Sequence, residues 1–291
     1  MIYPVSIYNS RLQPILREIV WQKKLEVAQM HQEMSFASLQ RQLTAAPTVR
    51  DFFTALQQSL HKPSLITEVK RTLPHQDIIS LDFDPLAIAK SYERGGATCI
   101  SVVTDQKFFQ GGFDHLRTIR HRIALPLLCK DFILDPCQIY LARAAGADAV
   151  LLIAAILTDE EIHNFLRVIH YLGMNAVLEV HNLGELDRVL KLEDVRIIEI
   201  NNRSLEDFSV NLSTTQQLMA ARRSHIQNLG ILVVSESGIE TSDHLSLMAD
   251  AGVDAVLMGD SLLQQENLEE AVRSLIKTKT HVYKDLAKKG F

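Results

Sequence analysis

From residue 63 onward, two hydrophobic rhythms alternate along the chain. Short, nearly continuous apolar runs recur, and each is followed by a polar loop and then a segment with apolar residues three and four positions apart. A continuous apolar run of this length reads as a strand buried on both faces, and the spaced pattern reads as an amphipathic helix. The strands predicted are Ser64–Lys70, Thr98–Thr104, Leu125–Cys129, Asp148–Ile153, Asn175–Val180, Val195–Asn201, Ile231–Ser235 and Asp254–Met258. Helix starts are marked locally. Asp84-Pro85 and Asp135-Pro136 place an N-cap before a first-turn proline, and Thr158 with Glu161 forms a capping box. Asn182, Ser213 and Thr241 open further helices, another runs from about Phe113 to Arg122, and a last one spans about Leu268 to Lys277. Ahead of the first strand, helical spacing predicts helices near Arg11–Met34, Phe36–Leu43 and Val49–Leu60, with residues 1–10 irregular. The first carries Ile15, Leu16, Ile19, Val20, Leu25, Val27 and Met30 on its apolar side, and its Lys and Glu residues are assigned to the solvated face.

Eight buried strands alternating with eight helices predict an α/β fold, a closed (β/α)8 TIM barrel with extra N-terminal helices. The rival, a doubly wound open sheet, often carries a Gly-rich phosphate loop after its first strand, where this chain has Glu68, Val69 and Lys70. The expected division is an N-terminal helical extension over residues 1–62 packed on the barrel, the barrel over 63–280, and a tail over 281–291 that carries Lys284, Lys288 and Lys289, forming one domain overall. Ala145-Gly-Ala-Asp-Ala-Val-Leu151 is echoed by Ala251-Gly-Val-Asp-Ala-Val-Leu257, a helix end and strand start repeated within the plan.

Composition narrows the function. The 291 residues are 47% hydrophobic and 22% charged, which suits a globular protein with a sizeable core. A formal net charge of -5 without a basic block gives no support to nucleic-acid binding. Cys99, Cys129 and Cys137 lack metal-binding spacing and read as small core residues in a reducing compartment. No apolar run reaches the roughly 18 residues of a membrane span, and the N-terminus does not read as a signal peptide. A cytosolic location without membrane or nucleic-acid partners is therefore expected.

Candidate chemistry lies at the strand ends, where the active sites of such barrels sit. These ends carry Glu68 and Lys70, Thr104 and Asp105, Lys130 and Asp131, Glu179 and His181, Asn201 and Arg203, Glu236, and Gly259. Lysines and glutamates around one mouth suit acid–base chemistry. Opposite charges hold each other ionised, while a desolvated lysine can have its pKa lowered toward neutrality. Ser235-Glu-Ser-Gly-Ile239 and Met258-Gly-Asp-Ser261, after the seventh and eighth strands, fall where barrels often bind phosphate. His75, His121, His170 and His181 are read as structural or solvated.

Together, Glu68-Val-Lys-Arg71, Ser101-Val-Val-Thr-Asp105 with Phe108-Phe109, Leu128-Cys-Lys-Asp-Phe132, Leu178-Glu-Val-His181, Ile200-Asn-Asn-Arg203, Ser235-Glu-Ser-Gly238 and Val256-Leu-Met-Gly259 resemble the indole-3-glycerol phosphate synthase family. Ile19-Val-Trp-Gln-Lys23 is similar to its cyanobacterial branch. The resemblance implies closure of an indole ring in tryptophan biosynthesis from a carboxyphenylamino-deoxyribulose 5-phosphate, with loss of carbon dioxide and water and no metal or organic cofactor. By the same resemblance, Lys130 is the general acid at the ketone oxygen. Glu68, Lys70 and Glu179 share dehydration and charge stabilisation, Asn201 orients the substrate and Glu236 supports the lysines. Ser237, Gly238, Gly259 and Asp260 hold phosphate, Phe109, Phe132, Leu151 and Leu205 wall the aromatic ring, and Arg203 lies near the anionic end. The partner is then a small phosphorylated molecule bound by a monomer, with other tryptophan-pathway enzymes as further candidates.

The chain departs from the family pattern after Arg71. Leu73 and His75 replace two serines, and Asp77 replaces a glycine on the phosphate side. Lost hydroxyl donors there cost about 1 kcal/mol or more each where desolvated. Glu199 stands where a glycine commonly precedes the sixth-strand Ile-Asn. Two other readings stay open at this point: a catalytically weak or inactive paralogue that binds phosphate ligands or regulates, and an aldolase-like enzyme in which Lys130 forms a Schiff base, which borohydride trapping would reveal.

Overall fold

A computed structural model describes residues 14–72, 83–205, 207 and 209–276. Strands β1 Ser64–Val69, β2 Cys99–Val103, β3 Leu127–Lys130, β4 Ala149–Ile153, β5 Asn175–Val180, β6 Ile197–Asn201, β7 Leu232–Glu236 and β8 Ala255–Met258 pair in sequence order. All pairings are parallel, and β8 closes onto β1 with Ile66 opposite Leu257. The result is the predicted (β/α)8 barrel. Helices α1 Pro14–Glu33, α2 Phe36–Ala45 and α3 Phe52–Gln58 precede it. The strands alternate with α4 Pro85–Gly95, α5 Phe113–Arg120, α6 Pro136–Ala145, α7 Asp159–Tyr171, α8 Leu183–Val189, α9 Ser213–Asn228 and α10 Ser242–Ala251. After β8 come a short α11, Asp260–Leu263, that the sequence reading did not anticipate, and α12 over residues 268–276. No helix among the described residues is long and apolar enough to cross a membrane.

Local chemistry accounts for the helix starts. Asp84 Oδ1 accepts from the Leu86 and Ala87 amides, and the predicted Thr158–Glu161 capping box is formed in full. Asp135 and Gln138 form a second box. Strand β3 begins two residues later than predicted, after Pro126, which has no N–H for the ladder. It also runs on through Lys130, whose carbonyl accepts from the Thr104 amide at 3.0 Å.

The internal echo has a structural basis. Both helices end at left-handed glycines, Gly146 and Gly252. Asp148 Oδ2 then accepts from the Leu127 amide at 2.8 Å, and Asp254 Oδ2 accepts from the Val233 amide at 2.9 Å. Each aspartate thus ties the start of its own strand to the neighbour before it. Asp148 also holds the Arg50 amide at 2.7 Å and Arg120 Nη1 at 2.6 Å, which fastens the N-terminal segment to the barrel floor.

Three N-terminal expectations are corrected. Leu25 is 47% exposed and Leu60, beyond the end of α3, is 96% exposed. The buried stripe of α1 runs through Leu16, Ile19, Val20 and Lys23, so a lysine occupies a core position that hydrophobic patterning would give to an apolar residue. Cys99, Cys129 and Cys137 are buried free thiols, as expected. The substitutions at Leu73, His75 and Asp77, residues 1–10, the end of the last helix at Lys277 and the tail with Lys284, Lys288 and Lys289 lie outside the described residues.

Candidate active site

The C-terminal ends of the strands open into a cavity of about 470 Å³. It is lined by Glu68, Lys70, Phe109, Lys130, Phe132, Leu151, Glu179, Asn201, Arg203, Leu205, Glu236, Ser237 and Asp260. Gly238 and Gly259 line an adjoining pocket of about 120 Å³ that shares Glu68, Lys70, Arg203, Glu236, Ser237 and Asp260 with it. Every residue given a catalytic or substrate-binding role by the resemblance therefore borders one or both of these pockets, whereas Thr104 and His181 at the same strand ends line neither. Apolar side chains occupy one flank, and charged groups with the two glycines occupy the other.

Lys130 projects from the end of β3 into a cage of carboxylates. Its Nζ lies 2.7 Å from Glu199 Oε1 and 3.6 Å from Glu179 Oε2, and it donates a very short hydrogen bond to Glu236 Oε2. Burial alone would lower the lysine pKa, but Glu199, Glu236, Glu179 and Glu68 outweigh it and hold the ammonium well above its ordinary range. The expected lowering toward neutrality is thereby overturned, because four acidic neighbours dominate over desolvation. Lys70 follows the same rule. Nearly buried, with Glu68 Oε1 at 2.8 Å and Asp260 Oδ1 at 2.6 Å, it is also held above the usual lysine value.

Glu179 is braced from behind by His181, whose Nε2 lies 2.9 Å from Glu179 Oε1 and whose Nδ1 lies 3.1 Å from Glu185 Oε2. Burial opposes a charge on this imidazole, yet the two glutamates raise it to about 9. Burial also opposes a charge on Glu179, but Lys130, His181 and Asn201 pull it down to about 2, so it is a carboxylate. His181 is thus structural, as read from the sequence, and its work is to fix an ionised carboxylate at the cavity wall.

On the polar flank, Asp260 at the start of α11 bridges Lys70 and Arg203, with Arg203 Nη2 at 3.6 Å. Asn201 Oδ1 accepts from the Arg203 amide at 3.0 Å and so shapes the turn after β6. Ser237 and Gly238 take consecutive left-handed conformations, with φ of 72° and 77°. A side chain at Gly238 would also put its Cβ 2.5 Å from Val210 Cγ1. At Gly259 a Cβ would come 2.8 Å from Glu68 Oε1, so glycine leaves room for the Glu68–Lys70 pair.

The aromatic flank is set by two aspartates. Asp105 Oδ1 accepts from the Phe108 and Phe109 amides at 2.8 and 3.3 Å, and Asp131 Oδ1 accepts from the Phe132 amide at 2.8 Å. The rings of Phe109 and Phe132 stand 6.1 Å apart with a 34° tilt. Lys23 of α1, only 2% exposed, lies 2.8 Å from Asp105 Oδ2 and 2.9 Å from Asp131 Oδ1. Ile15, Leu16 and Ile19 of the same helix complete the cavity wall.

The sequence reading therefore missed Lys23, the α1 wall and the contribution of Glu199. Lys23 stands at the seventh position after Leu16, on its apolar stripe, and that was the available signal. Glu199 stands out in the sequence only as replacing a common glycine of the family, and its contact with Lys130 depends on the barrel closing.

Fold and site together define a (β/α)8-barrel protein with a lysine–carboxylate centre at the mouth of the barrel, beside apolar side chains and a glycine-containing polar pocket. Over residues 16–275 the chain matches the sequence profile of indole-3-glycerol phosphate synthase, and it belongs to that family. It is 51% identical over 273 residues to the indole-3-glycerol phosphate synthase of Rippkaea orientalis, covering 94% of this chain and 93% of the relative. To that of Crocosphaera subtropica it is 49% identical with the same coverage. Among solved structures it is similar to the N-acetylmannosamine-6-phosphate 2-epimerase from Clostridium perfringens, with a TM-score of 0.55 at 15% identity over 82% of this chain and 98% of that one. That likeness concerns the fold alone.

Proposed function

We propose that the chain converts 1-(2-carboxyphenylamino)-1-deoxyribulose 5-phosphate to indole-3-glycerol phosphate, closing the indole ring with loss of carbon dioxide and water in tryptophan biosynthesis. The observation that carries this reading is Lys130, a half-buried lysine held charged by glutamates, beside aromatic side chains and a glycine-containing polar pocket. Phe109, Phe132, Leu151 and Leu205 receive the carboxyphenyl ring. Ser237, Gly238 and Gly259 receive the phosphate at the other end, near Arg203 and with Asp260 at the rim. A substrate stretched between them places its ketone oxygen over Lys130, which protonates it as the new carbon–carbon bond forms. Departure of carbon dioxide restores the aromatic ring. Glu68, Lys70 and Glu179 then serve the loss of water, with Asn201 orienting the intermediate and Glu236 steadying the ammonium.

Indole fluorescence tests the reading. Purified protein given this substrate should develop the product signal in step with carbon dioxide release, and the dephosphorylated substrate should give a KM at least about 10-fold higher. A folded protein that produces no signal at saturating substrate would overturn it.

A further inference from the structure

The net reaction proposed above consumes a proton. A carboxylate leaves as neutral carbon dioxide, and water departs with both of its hydrogens, so one proton must enter the site in each turnover. Lys130 gives its proton to the ketone oxygen and must be recharged before it can act again. Its surroundings supply a source.

Glu199 lies on β6 two residues below Asn201, is fully buried, and stands opposite Glu179 in the β5–β6 register. Its Oε1 is 2.7 Å from Lys130 Nζ. Its Oε2 is buried and has no hydrogen-bond partner. Oxygens of Glu179, Glu199 and Glu236 all lie within 4.8 Å of one another. Like charges packed this closely in a dry interior keep at least one member neutral, and the unpartnered Oε2 of Glu199 has room for that proton. Glu179 is committed as a carboxylate by Lys130 and His181.

We propose that Glu199 is a proton store for Lys130, protonated in the resting protein and passing that proton to Nζ once Lys130 has protonated the substrate. The inference rests on the ring-closing function proposed above. In the transfer, the Lys130 N–H bond breaks as the substrate O–H bond forms. The Glu199 O–H bond then breaks as the N–H bond is remade, leaving Glu199 as a carboxylate and Lys130 as an ammonium. Glu199 regains its proton from solvent between turnovers. The groups facing it fit this cycle: Lys130 from β3, Glu179 from β5, Glu236 from β7 and, through Lys130, Glu68 from β1. Burial pushes the Glu199 carboxyl upward; Lys130 opposes this, while Glu236 and Glu179 reinforce it, and the outcome is well above the usual carboxylate range.

The test compares the wild type with Glu199→Gln, which keeps the shape and cannot deliver an acid proton. Without substrate, at about pH 8, the wild type should show the infrared carbonyl band of a neutral carboxylic acid, and the variant should lack it. With substrate, the variant's steady state should run about 10-fold or more below its own first turnover. Added imidazolium should restore the variant's later turnovers and leave the wild type unchanged. Absence of the band overturns the stored proton. First and later turnovers falling equally, without rescue, overturn the transfer and leave Glu199 a positioning residue only. A wild type with no turnover at all would sink the ring-closing reading itself, while the substrate-free infrared band would still judge the proton on Glu199.

Discussion

Charge at single residues in this site is decided by neighbours rather than by burial. Lys130, Lys70 and His181 are all desolvated, and desolvation alone would discharge them. Each instead faces glutamates or an aspartate at contact distance and stays protonated. His181 gives the clearest pH signature, because its pKa in the folded state, about 9, lies above the ordinary 6.5. A raised pKa stabilises the fold fully below about pH 6.5, and that stabilisation is lost as pH rises through about 9. Urea unfolding at the two ends of this window should show the wild type losing up to roughly 3 kcal/mol more than His181→Gln. Equal losses would mean that the imidazole is not held charged between Glu179 and Glu185. The residue type at position 181 was readable from the sequence, but its charge was not, since it depends on two glutamates whose approach follows from β5 and α8 folding together.

Helix α1 carries the element-scale lesson. Its ends and length are largely legible in hydrophobic spacing, yet patterning by residue type puts every lysine on the wet face. The structure buries Lys23 against Asp105 and Asp131, which in turn hold the amides of Phe108, Phe109 and Phe132. The same lysine that fastens the helix thus sets the aromatic wall from behind. We propose on this basis that the N-terminal helices and the barrel fold as one unit. Lys23→Met keeps the stem and removes the charge, leaving two buried aspartates without their cation. The variant should lose about 3–5 kcal/mol of stability in denaturant unfolding and bind substrate more weakly. A variant as stable as the wild type would show that the clamp contributes nothing. Helix starts, by contrast, were legible because N-caps act within three residues, as at Asp84, Asp135 and Thr158. Strand ends shifted by a residue or two wherever a ladder partner or a proline, as at Pro126, decided the boundary.

Across the whole molecule, a barrel of parallel strands places successive C-terminal ends around one mouth. Residues far apart in sequence, such as Glu68, Lys130 and Glu236, therefore became a candidate set once eight strands had been counted. That count made the fold and the outline of the site readable. Side-chain partnerships across the mouth were not readable, because Glu199 with Lys130 and Asp260 with Lys70 exist only after β8 closes onto β1.

The central claim is that Lys130 is the acid of the ring closure, and its removal tests that claim most directly. Lys130→Met, checked for an intact fold by circular dichroism and for substrate binding by titration, should lower kcat by about 100- to 10,000-fold. A variant that binds substrate and still turns over at close to the wild-type rate would contradict the assignment, and with it the account of the carboxylate cage as a device for holding this lysine charged.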